Sequence, residues 1–171
     1  LIYGDVALVL SFVAIVVVRY FTEMRAKLYL KRAFSHYVNE SVVEQITKHP
    51  EMLRLGGERK KVAVLFSDIV SFTSLAEKME PEQVVDLLNE YMDVMTKIIF
   101  QNGGTLDKYE GDAIMAFFGA PLPTSNFVEM ACRSAIQMQG ALAGLHEKWN
   151  SEGKPLIDFR VGIATGEVIV G

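Results

Sequence analysis

Apolar and polar positions recur along this chain with different periods, and wherever one period holds it predicts an element. Val62-Ala63-Val64-Leu65-Phe66 is a short apolar run ended by a polar break, the pattern of a buried strand. Pro81 opens a stretch in which Val84, Leu87, Leu88, Tyr91, Met92, Met95, Ile98 and Ile99 form one face of a helix, and Gly103-Gly104 stops it. Thr105–Tyr109 and Ala113–Phe118 read as strands joined by the tight turn Glu110-Gly111-Asp112. Pro121, Pro123 and Ser125-Asn126 punctuate a loop, and Asn126 is placed to cap a helix reaching about Trp149. Pro155–Gly162 and Glu167–Val170 read as two further strands around a Thr165-Gly166 turn. The order β-α-β-β-α-β-β defines an α+β layer with helices on one sheet face, a ferredoxin-like palm.

Upstream the pattern changes. Val6–Val18 is apolar except for Ser11, and the run continues through Arg19 and Tyr20 to Phe21. Residues 6–21 make about 24 Å of helix at 1.5 Å per residue, short of a roughly 30 Å bilayer core. Snorkelling of Arg19 and local thinning close that gap, so a transmembrane segment over 1–21 is favoured over a buried or interfacial helix. Alternatively, Gly4-Asp5 is a turn after a preceding span that ends at Leu1–Tyr3. A secretory signal is not expected, because the basic leader and small-residue cleavage site are missing. Arg19, Arg25, Lys27, Lys31 and Arg32 face a single Glu23, which marks the cytoplasmic side; a solvated helix face gives the same charge pattern. Ala26–Thr47 then carries apolar residues at helical spacing, within a linker over 22–59 that Lys48-His49-Pro50 and Gly56-Gly57 break. A third region, 60–171, holds the palm.

Composition narrows the function. Half the residues are hydrophobic, mean hydropathy is positive, and the formal charge is −4, with no basic stripe for a nucleic acid. Cys132 stands alone on an apolar helix stripe and reads as a small buried thiol in a reduced compartment. His36, His49 and His146 are too scattered for a zinc site, and no nucleophilic triad or dinucleotide loop is recognisable.

The candidate chemistry lies in two acidic segments. In Phe66-Ser67-Asp68-Ile69 the aspartate falls at the carboxyl end of a strand, the usual place for ligand chemistry in sheet proteins. In Tyr109-Glu110-Gly111-Asp112 it falls in a hairpin turn. Two carboxylates on adjacent sheet elements can hold a pair of hard cations about 3.5–4 Å apart, the geometry of two-metal phosphoryl chemistry. Either aspartate alone is as readily a turn cap.

These segments, with Phe72-Thr73, Asp107-Lys108, the 44-residue interval from Asp68 to Asp112, and Gly162-Ile163-Ala164-Thr165-Gly166-Glu167, resemble the class III adenylate/guanylate cyclases over roughly Lys60 to Gly171. The resemblance implies conversion of ATP to 3′,5′-cyclic AMP and pyrophosphate at a homodimer interface. Asp68, Asp112 and the backbone carbonyl of Ile69 hold two Mg²⁺ or Mn²⁺ ions. Backbone amides of Val70, Ser71, Phe72 and Thr73 wrap phosphate, and Lys108 contacts adenine. A glutamate at the Lys108 position goes with guanine in the family, because a carboxylate accepts from guanine N–H groups whereas an ammonium donates to adenine N1. The family's transition-state arginine and ribose asparagine fall beyond Gly171, so residues 1–171 alone are expected to be inactive. The linker on this reading couples an upstream membrane sensor domain to a cytoplasmic catalytic domain at the inner or plasma membrane. The competing readings are a nucleotide-binding regulatory module without turnover and a guanylate cyclase. A diguanylate cyclase is disfavoured, since its Gly-Gly-(Asp/Glu)-Glu-Phe signature is absent.

Overall fold

In the computed structural model, which describes residues 17–22, 25 and 57–170, the apolar run at Val62 becomes a longer strand than its sequence pattern marks. β1 spans Glu58–Ile69, and its inward side chains Ala63, Leu65, Ser67 and Ile69 are buried. A short helix, α1 (Phe72–Ala76), leads to α2 (Pro81–Gln101). Pro81 starts α2 as expected, and a capping box at Glu80 and Gln83 holds its first turn. β2 (Thr105–Glu110) and β3 (Ala113–Phe118) form the expected hairpin. α3 (Phe127–Glu152) ends on Gly153, and β4 (Phe159–Val170) closes the sheet.

The sheet order is β2-β3-β1-β4, and every neighbouring pair is antiparallel. That is the ferredoxin-like arrangement expected of the palm, with α2 and α3 on one face. The core lies between them: Leu65, Ile114, Ala116 and Phe118 of the sheet meet Tyr91, Met95 and Ile99 of α2 and Met138, Leu142 and Trp149 of α3. The opposite face carries Val64, Phe66, Met115 and Phe117, with Phe66 47% exposed. Met92, Met95 and Met138 are core filler, whereas the register puts Met115 opposite Phe66 on this other face.

Three local expectations are corrected. The two strands expected around Thr165-Gly166 are one. β4 runs through that dipeptide, pairing Thr165 with Ala63 and Gly166 with Val62, and Gly166 takes no positive φ. The twelve-residue length of β1 supplies a hydrogen-bonding template that outweighs the local turn signal. Asn126 sits at the N-cap position, but its Oδ1 accepts from Thr124 Oγ1 at 2.7 Å instead of capping a helix N–H. Cys132 is exposed, not buried: the inward positions of α3 are Ala131, Ser134, Met138, Leu142, Leu145 and Trp149, and one residue from Ala131 is about 100° around the helix.

The chain divides into two compact units, Leu1–His36 and Tyr37–Gly171. In the first, residues 17–22 are helical, and Thr22 Oγ1 donates to the Val18 carbonyl at 2.7 Å. Most of the expected membrane segment and nearly all of the linker lie outside the described residues. Among the described residues no helix is long and apolar enough to cross a membrane.

Candidate active site

Strand termini bring the two aspartates together. Asp68 is the penultimate residue of β1, and Asp112 is the second residue of the two-residue turn between β2 and β3. Gly111, the first, has φ +64°, a conformation that glycine adopts without the steric cost a Cβ imposes. Because β3 pairs antiparallel with β1, that turn falls at the end of the sheet where β1 finishes. The Ile69 N–H donates to Asp112 Oδ2 at 3.1 Å, tying the hairpin turn to the strand end.

Electrostatics separate Asp112 from ordinary surface carboxylates. Burial raises the Asp112 pKa above the usual carboxylate range; the adjacent Asp68 raises it further, while its own backbone and the Ile69 N–H oppose the shift. Two anionic groups held side by side with few donors suit a hard cation, whose oxygen-rich coordination this donor set matches. The residues present therefore fit a divalent metal: Asp68, Asp112 and the Ile69 carbonyl would hold it.

Beneath the pair lie two buried hydroxyls, Ser67 Oγ and Tyr91 OH, neither with a hydrogen-bond partner among the described residues. Burial pushes the Tyr91 phenol up to about 12, and the charges of Asp112 and Asp68 add to the rise; the nearby Ser67 hydroxyl, outside hydrogen-bond geometry, opposes it. Tyr91 stays protonated and neutral at any physiological pH.

Sequence reasoning missed Arg160. It is the second residue of β4, directly opposite Asp68 in the register, and its Nη2 lies 2.7 Å from Asp68 Oδ2. The Arg160 side chain is 71% exposed, so it can leave the carboxylate for an anion without opening the core. No local motif signals it; only the β1–β4 register does.

The segment expected to wrap phosphate runs from the end of β1 into the start of α1. Ser71 takes φ 56°, ψ 31°, the one left-handed non-glycine among the described residues, and turns the chain from β1 into α1. Val70 drops out of the wrapping set, because its N–H donates to the Asp158 carbonyl at 2.8 Å. Ser71, Phe72 and Thr73 remain at the start of α1. Lys108 lies apart on the edge strand β2, exposed, and its ion pair is with Asp107 at 3.3 Å.

A palm of this topology with two carboxylates at the end of its central strands is the plan of a nucleotide cyclase catalytic domain. The profile of the adenylate and guanylate cyclase catalytic domain matches residues 57–171, and the chain belongs to that family. It is 33% identical over 141 residues to adenylate cyclase 1 of Rhizobium meliloti, covering 81% of this chain and 21% of that protein. It is 38% identical over 120 residues to an adenylate cyclase of Anabaena cylindrica, covering 66% of this chain and 22% of that one. The chain thus spans about a fifth of these relatives' length. Among solved structures, the adenylyl cyclase CyaB from P. aeruginosa superposes with a TM-score of 0.65 at 41% identity, over 68% of this chain and 61% of that one. A guanylyl cyclase superposes with 0.66 at 38% identity, over 68% and 59%.

Proposed function

We propose that this domain forms a 3′,5′-cyclic nucleotide and pyrophosphate from a nucleoside triphosphate, with ATP as the preferred substrate. The observation that carries the reading is the Asp68–Asp112 pair, held at one sheet end with the Asp112 pKa raised by burial and by its neighbour. Bound there, Mg²⁺ or Mn²⁺ ions would supply Lewis acidity toward the 3′-hydroxyl and charge neutralisation on the triphosphate. Asp68, Asp112 and the Ile69 carbonyl provide the oxygen ligands. Arg160, paired with Asp68 through an exposed side chain, would be within reach of a phosphate oxygen, an anion its guanidinium binds with the same geometry. The amides of Ser71, Phe72 and Thr73 face the phosphates, and Lys108 donates to the adenine edge.

Because Lys108 stands on an edge strand away from the carboxylates, the reading places it at the purine of a second active site across a homodimer. The partly exposed apolar face around Phe66, Val64 and Phe117 supports such pairing. The parent protein is a membrane-anchored sensor cyclase on this reading, its catalytic domain cytoplasmic. A guanylate cyclase is the second reading, favoured by the guanylyl cyclase neighbour. The deciding assay measures Mn²⁺-dependent cyclic AMP and cyclic GMP formation by the full-length protein and its Asp68→Ala and Asp112→Ala variants. Product from wild type and none from either variant is the expected result. Near-wild-type turnover by a folded variant would sink the metal assignment.

A further inference from the structure

The Ile69–Val70 peptide has two ends, and the structure restrains one of them through residues remote from the carboxylates. A trans peptide is planar, so its C=O and N–H point in opposite directions. The N–H of this unit, on Val70, donates to the Asp158 carbonyl at 2.8 Å; the C=O, on Ile69, is the backbone metal ligand of the proposed site. Together with the neighbouring pairing of Ile69 with Phe159, whatever holds the Asp158 carbonyl therefore restrains the direction of the Ile69 carbonyl.

Asp158 belongs to the connection between α3 and β4, outside both elements. Exposed connections of this kind drift unless tied. The tie comes from α3: His146 Nε2 lies 2.7 Å from the Ile157 carbonyl, close enough for its N–H to donate, and 4.0 Å from Asp158 Oδ1. The imidazole is partly buried and packs beside Trp149, with ring centroids 6.1 Å apart. Ile157 itself is 3% exposed, anchored in the core. Beyond the tie, a cavity of about 300 Å³ lies between Ser71, Ser74 and Lys78 on one side and Leu156 and Asp158 on the other. Space on that side leaves the connection room to move if the tie is cut. Ser71 follows directly, in a left-handed conformation that persists only where its surroundings over-determine it.

We propose that His146 is a positioning residue: by holding the Ile157–Asp158 connection it keeps the Asp158 carbonyl on the Val70 N–H and so orients the Ile69 carbonyl for a divalent cation. The inference rests on the cyclase reading for the cation's role, and on observed hydrogen bonds alone for the His146-to-Val70 linkage. It concerns the backbone ligand, so neither carboxylate needs to move for His146 to matter.

The test uses the full-length protein as wild type, His146→Ala and His146→Gln. The glutamine places an amide N–H near the position of Nε2 and can restore the donation. Two quantities are read: hydrogen exchange at the Val70 amide, and Mn²⁺ affinity from the thermal shift on titration with Mn²⁺ alone. In His146→Ala, Val70 exchange accelerates about tenfold or more while the Leu65 amide, in the centre of β1, keeps its protection. Mn²⁺ affinity falls by about tenfold, the scale of a lost outer-shell partner, and His146→Gln recovers most of both effects. A merely structural role would change Leu65 and Val70 together and would leave Mn²⁺ affinity unchanged at equal melting temperature. Unchanged Val70 exchange in His146→Ala overturns the linkage. Altered exchange with unchanged Mn²⁺ affinity overturns the positioning role. A wild type that binds no Mn²⁺ overturns the metal reading, and with it the role given to His146, while the exchange result still judges the hydrogen-bonded linkage by itself.

Discussion

Glu90 and Asp112 are both partly shielded carboxylates on the same domain, and their surroundings treat them in opposite ways. Glu90 on α2 accepts from Lys148 Nζ at 2.8 Å, from Trp149 Nε1 at 2.9 Å, and from Lys154 Nζ. The hydrogen bonds from Lys148 and Lys154 hold its pKa down to about 2, against a partial desolvation cost. Asp112 has one backbone donor from another residue, Ile69, and a second carboxylate beside it, and its pKa rises. Glu90 is a satisfied charge that ties α2 to the end of α3. Asp112 is a charge left short of positive partners, and the family to which the chain belongs is one of enzymes. The difference teaches where to look for chemistry: at the carboxylate the fold has not neutralised.

Removing the under-compensated charge should have the largest effect. On the proposed metal reading, Asp68→Ala or Asp112→Ala in the full-length protein lowers Mn²⁺-dependent cyclic nucleotide formation by about 10²–10³-fold or more, because neither carboxylate would substitute for the other. Asp112→Asn should not lower the metal-free melting temperature. An acid whose folded pKa is raised costs the folded state stability above its unfolded pKa, and that stability returns as pH falls through the folded value. The amide removes the cost, and a melting curve without metal checks the sign.

Lys108→Glu comes next. A hydrogen bond to a charged group contributes about 1.5–3 kcal/mol, so the ATP-over-GTP ratio of kcat/KM should drop by roughly tenfold or more. Competition between the two nucleotides measures it, and a wild type that already prefers GTP would remove Lys108 from the purine site.

Glu90→Gln acts on stability instead. It loses the ionic part of two lysine contacts and keeps an acceptor for Trp149, which should cost about 1–2 kcal/mol and leave kcat unchanged. The depressed Glu90 pKa sets the pH window. Its contribution is fully present above the ordinary value of 4.5 and is lost as pH falls toward about 2. Denaturant unfolding of wild type and variant should therefore converge over that interval. Smallest is Tyr91→Phe, which deletes a buried hydroxyl that lacks a hydrogen-bond partner and should shift stability by less than about 1 kcal/mol in either direction.

Much of the fold was legible because its signals are local. Pro81 begins α2, Ala113–Phe118 is β3 to the residue, and Gly103 closes α2 with φ +76°. Asp68 at a strand end and Asp112 in a glycine turn were equally readable, since both depend on neighbours within a few positions. The misreadings share a cause. Thr165-Gly166 resembles a turn in isolation, yet β1 supplies backbone partners to both residues from about a hundred positions away. Cys132 matches an apolar stripe, yet which side of α3 faces the sheet is settled by Ser134, Met138 and Trp149 against the core.

By itself the sequence determined the first strand, both long helices, the β2–β3 hairpin and the identity of both acidic residues, because hydrophobic period and turn chemistry act over short stretches; it did not give the short helix α1 or the unbroken strand β4. Tertiary structure alone decided that the Asp68 carboxylate meets Arg160, that Val70 spends its N–H on Asp158, and that His146 holds the connection behind it. The first two contacts join groups about ninety positions apart, the third joins α3 to the connection that follows it, and no short-range preference encodes them. They follow from the antiparallel register of β1 with β4 and from the packing of α3, where cooperative pairing of whole elements places side chains and peptides that the chain order keeps apart.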